Sequence, residues 1–100
     1  SNEQWATLVD KTIPDQQRAT KVKQLGFQLI ELADSATQNI EELSAKSVAL
    51  NENYYATKAD LQNVFDEFLK TRKLAFTKYR DIIFAMRSEV SEEEWNKLTN

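Results

Sequence analysis

The side chains here that could do chemistry are carboxylates and one oddly placed arginine. Glu41-Glu42 and Glu92-Glu93-Glu94 set acids next to one another, and paired carboxylates are common material for general acid–base catalysis. Neighbours along a helix point about 100° apart, however, so such a pair shares no site. Both sets read as solvated faces. Arg72 interrupts an otherwise apolar series. A guanidinium there needs a carboxylate within reach or a path for its stem to the surface. The carboxylate at hand is Asp34, with Glu31 one turn away, which makes Arg72 and Asp34 a candidate buried ion pair and Arg72 the only candidate anion clamp.

The rest of the catalytic repertoire is missing. The chain has no histidine and no cysteine, which removes Ser-His and Cys-His nucleophile systems, disulfides and imidazole or thiolate metal sites. Di-iron bundles need Glu-x-x-His pairs. The single glycine, Gly26, cannot build a phosphate loop, and the stretch from Asp60 to Asp66 lacks the glycine and ligand spacing of a calcium loop. The residues therefore predict no catalytic, cofactor or metal site, and no enzyme.

These side chains must be carried by helices. One Gly and one Pro in 100 residues leave little punctuation. Trp5, Leu8, Val9, Thr12 and Ile13 fit a short amphipathic helix from about Glu3 to Thr12. Pro14 resets the chain, because proline disfavours helix at the residue before it and suits a first helical turn. From Pro14 to Val48, the residues Val22, Leu25, Leu29, Leu32, Ala36, Ile40 and Leu43 recur in steps of three and four. Gly26 costs that helix about 1 kcal/mol relative to Ala, which a close neighbour on its bare backbone would offset. From Thr57 to Glu89 the pattern returns as Leu61, Phe65, Phe68, Ala75, Tyr79, Ile82 and Met86, with Leu69, Phe76, Ile83 and Val90 on an adjoining strip. That face is wide enough for more than one neighbour. Leu50 to Tyr55 reads as the connection, Thr57 or Asp60 as the next cap, and Ser91-x-x-Glu94 as a capping box opening a last short helix with Trp95 and Leu98.

The predicted fold is all-α, a single domain over residues 1–100. It is an antiparallel hairpin of two long helices with a short helix folded back at each terminus, a three- or four-helix bundle. With the turn near residue 52, facing residues have numbers that add to about 105, which sets Arg72 near Ala33 and Asp34. The terminal helices bring Trp5 towards Gly26 and Phe27, and Trp95 towards Phe84. Trp5 and Trp95 read as closing the open end of the hairpin, and Tyr54 and Tyr55 as plugging the turn. Where their rings stay exposed, Trp5, Phe27, Phe84 and Trp95, with Tyr54 and Tyr55, are the candidate partner contacts, since exposed rings anchor interfaces.

Arg80-Asp-Ile-Ile-Phe-Ala-Met-Arg87-Ser-Glu-Val90-Ser91-Glu-Glu-Glu94-Trp95 resembles one element of the Spy/CpxP-like periplasmic proteins. There a long helix precedes a Leu-Thr-x-x-Gln motif that opens another; Val90 to Glu94 stands in its place, similar in type and identical at no position, and no second copy is present. The resemblance implies an all-helical cell-envelope protein that binds other proteins as a chaperone or sensor-associated regulator, and a dimer with a concave apolar surface.

Charge and hydropathy bound the partners. A net charge of −3 and a pI near 5.0 argue against nucleic acid, and no apolar run approaches the roughly 20 residues that cross a bilayer. The chain opens Ser1-Asn2-Glu3 without Met, which reads either as a processed export segment, with a lipid anchor upstream, or as a vector-derived remnant. The expectation is a non-enzymatic protein of the periplasm or cell envelope acting through protein–protein contacts, as a homodimer or with an unknown protein. The alternatives are a cytoplasmic or phage-encoded structural bundle completing a homo-oligomer, and a small-molecule carrier with a cavity around Arg72.

Overall fold

A computed structural model describes all residues, Ser1–Asn100. It holds four helices and no strand: α1 (Asn2–Thr12), α2 (Gln16–Glu52), α3 (Lys58–Ser88) and α4 (Glu92–Thr99). The all-α fold with two long helices and a short one at each end is as the spacing predicts. The chain divides into two compact units, Ser1–Leu32 with Lys78–Asn100, and Ala33–Thr77.

The first unit holds the buried core. Ser1 caps α1, accepting from the Gln4 amide at 3.3 Å while the Gln4 side chain accepts from its amino group. Ile13, extended as a residue before proline should be, turns the chain, and Asp15 accepts from the Gln17 amide at 3.0 Å to open α2. At the other end Ser91 and Glu94 cap α4 reciprocally, at 3.1 and 2.9 Å. The folded-back helices α1 and α4 meet. Val9, Ile13, Ala19, Val22, Met86 and Leu98 form the core, with Trp5, Leu25, Ile82 and Trp95 packed against it. Full burial of a Val- to Met-sized side chain stabilises by about 1.5–3 kcal/mol.

Gly26 is buried in this unit, and its neighbour is Trp5. The indole lies where a Cβ would stand, and its N–H donates to the Lys23 carbonyl at 3.1 Å. Glycine is thus the residue that lets α1 lie close on α2.

The second unit is a helical hairpin. Its two arms are α2 from Ala33 and α3 up to Thr77, joined through Asn53–Thr57. Here the structure departs from the expected connection: Leu50, Asn51 and Glu52 remain helical. Leu50 is half-buried and prolongs the inward series Ala36, Asn39, Leu43, Ser47, which holds the last turn in place. Asn53 ends it, its side chain accepting from the Tyr55 amide at 3.0 Å. Thr57 and Asp60 then both act as caps, each accepting from the other's amide, at 3.1 and 2.8 Å.

Candidate functional site

Within the hairpin the inward positions are Ala36, Asn39, Leu43, Ser47 and Leu50 on α2, and Leu61, Val64, Phe68 and Ala75 on α3, all half-buried. Asn39, Leu43 and Lys46 share a cleft with Val64, Phe68 and Thr71, so the arms run antiparallel. Asn39 and Val64 therefore face inward where Ile40 and Phe65 were expected. Polar residues at inward positions, Asn39 and Ser47, hid this phase from a reading of apolar spacing.

The phase decides which side chains are left outside. A step of one residue turns a helix by about 100°. In an antiparallel pair, the residue after each inward position falls on the same side of the pair for both helices. On that side lie Ile40 and Val48 of α2 and Phe65, Leu69 and Phe76 of α3, between 41% and 59% exposed. The residues before the inward positions form the other side, which carries Gln38, Glu42 and Glu67 and a single large apolar residue, Leu74. The hairpin is two-faced, and its apolar face is open. No residue from Ala33 to Thr77 is buried.

Arg72 sits in the middle of this face. The expected buried pair with Asp34 does not form: both residues are exposed and neither makes an ion pair within the chain. Because α2 runs on to Glu52, the turn moves along the chain and Arg72 comes level with Ala36 and Asn39. Its guanidinium instead lies 5.2 Å from the Phe76 ring centre and 5.9 Å from that of Phe68, a cation–π arrangement. The cleft beside it measures about 120 Å³, well below the ~300–1,000 Å³ of metabolite-sized pockets.

The six aromatic candidates divide. Trp5 and Trp95 are half-buried against the core of the first unit, and Trp5 spends its N–H on a backbone carbonyl. Phe27 is half-buried. Phe84 stays exposed, with the Arg87 guanidinium 5.5 Å from its ring and 5.9 Å from that of Trp95. Tyr54 and Tyr55 do not plug the turn; they stand 92% and 85% exposed, edge to face with ring centres 5.5 Å apart.

Among the carboxylates, Glu94 corrects the expectation of a solvated run. Arg18 donates to both its oxygens, at 2.8 and 3.1 Å, and to the Glu89 carbonyl at 2.8 Å. Lys21 pairs with Glu89 at 3.0 Å. The Arg18 hydrogen bonds, helped by the Ser91 amide, hold the Glu94 carboxyl down to about 2 from the usual 4.5. This arrangement fastens α4 to α2. It lies more than 70 positions apart in the chain, so spacing could not reveal it. The remaining acids gather into no cluster of three that could hold a metal ion, and no helix is long and apolar enough to cross a membrane.

Comparison with models of protein families, with curated proteins and with solved structures finds no match for this chain.

Proposed function

We propose that the protein is a non-enzymatic helical protein that works by contact with other proteins, chaperone-like or regulatory, in the cell envelope. One observation carries the contact reading: the hairpin from Ala33 to Thr77 turns a largely apolar face outward, interrupted by Arg72, and buries no residue of its own. About half the side-chain area of five large apolar residues stays open, roughly 500 Å² in all, the scale at which an exposed patch marks an interaction site. Two helices with Phe65, Leu69 and Phe76 along one and Ile40 and Val48 along the other fit an extended apolar segment or an amphipathic helix. The envelope placement rests on the resemblance of residues 80–95 to the Spy/CpxP-like proteins. Cell fractionation of the native host checks it, and an exclusively cytoplasmic product refutes it.

The contact reading is checked by the aggregation of an unfolded client protein. The native chain slows it at near-equimolar ratio, and Leu69→Lys with Phe76→Lys abolishes the effect while the helical signal is unchanged. A chain that neither retards aggregation nor binds the client removes the chaperone reading. The same open face motivates the second reading, a structural bundle that completes itself by homo-oligomerisation.

A further inference from the structure

We propose that the apolar face of the hairpin is closed by a second copy of the chain, with each α2 arm lying on the other copy's α3 arm about a two-fold axis parallel to the helices. The inference rests on the contact reading above and names its partner.

Bulk is the first argument. The two stripes of the face are unequal. On α3 it carries Phe65, Leu69 and Phe76; on α2 it carries Ile40 and Val48 alternating with the small residues Thr37 and Ser44. Large residues of one copy seated on the small stripe of the other give an even spacing all round, as side-chain layers in a four-helix bundle require. Turning the second copy end over end would set rings against rings and small residues against small, leaving one side wedged apart.

Charge points the same way. The outer edge of α2 on this face carries Asp34 and Glu41, and the outer edge of α3 carries Lys73 within a turn of the level of Asp34, one residue beyond Arg72 beside Ala36 and Asn39. Neither Lys73 nor Asp34 has an ion-pair partner within its own chain. In the proposed arrangement Lys73 reaches Asp34 of the second copy, twice by symmetry. A bilayer surface is a poor alternative occupant, because acids edge the face and the chain is net negative, at −3.

Area is sufficient. The roughly 500 Å² of open apolar surface, with the polar edges added, comes near the ~800 Å² per partner of a standard stable interface. An unfavourable meeting is Glu41 with Asp66 of the second copy, whose removal should tighten the pair.

The experiment is sedimentation equilibrium of the full chain over a wide concentration range, with a hydrophobic fluorescent probe as a second readout. A mass rising from one chain to two is expected. Lys73→Glu and Asp34→Lys, each on an exposed position, should weaken the dimer about tenfold or more, and the double exchange should restore it. Asp66→Lys should strengthen it. A single-chain mass at every concentration overturns the inference, as does a double exchange that fails to recover. If the single chain still binds the probe and Leu69→Lys abolishes that binding, the contact reading survives with a different partner. If the single chain binds no probe, both fall.

Discussion

Glu94 accepts from Arg18 on α2 and from the Ser91 amide at the head of its own helix, so one carboxylate holds α4 by its start and against its neighbour. Its carboxyl titrates near 2 in the folded chain against the usual 4.5. A group whose folded pKa is the lower of the two adds stability above the unfolded value and loses it as the acid form fills. The contribution should therefore be whole above about pH 5 and fade as the pH falls from 4.5 towards 2. Glu94→Gln keeps a capping side chain and removes the charge. It should cost about 1 kcal/mol at neutral pH and flatten the pH dependence of the melting temperature below pH 5. An unchanged acid slope in the variant would show that Glu94 is not the titrating fastener. Nothing local in Arg18 or Glu94 announces their partnership, since it depends on where two distant helices come to rest. The cap itself was plain in Ser91-x-x-Glu94, because capping is a matter of three residues' spacing.

At the scale of elements, the approach of α1 to α2 is set by the pair Trp5 and Gly26. A Gly→Ala change inside a helix ordinarily stabilises it by about 1 kcal/mol. Here the added carbon would collide with the indole and break its hydrogen bond to Lys23. Gly26→Ala should therefore destabilise, by about 1–3 kcal/mol as for other overpacked sites. In a Trp5→Leu background the same change should turn neutral or favourable, a coupling that a double-mutant cycle in denaturant measures. That a neighbour must cover Gly26, and that Trp5 comes to it, could be read from a glycine inside a periodic series and a proline-set reversal. The phase of the hairpin could not. Spacing in steps of three and four fits either Asn39 with Val64 or Ile40 with Phe65, and the apolar residues favoured the second. Packing chose the first, which leaves the larger side chains outside. The same shift carried Arg72 away from Asp34.

Across the molecule, burial is unevenly shared. The unit formed by Ser1–Leu32 and Lys78–Asn100 contains every buried residue, and Ala33–Thr77 contains none. Helices without a packed face are marginal in water, so the second unit gains most from whatever covers it. The first unit has a different dependence. Val9, Ile13, Ala19 and Val22 precede the tyrosine turn, and Met86 and Leu98 follow it. Neither half of the chain holds a complete interior.

The turn at Tyr54 and Tyr55 is the place where this division becomes useful. A protease that cuts after aromatic residues should nick the chain there first, since exposed connections between helices are where such enzymes gain access. The nicked halves should stay together through a native mass measurement, and separately made pieces ending and beginning at that turn should regain helicity only on mixing. The protein is thereby a natural split reporter: two fragments, each incomplete, that signal their reunion by folding.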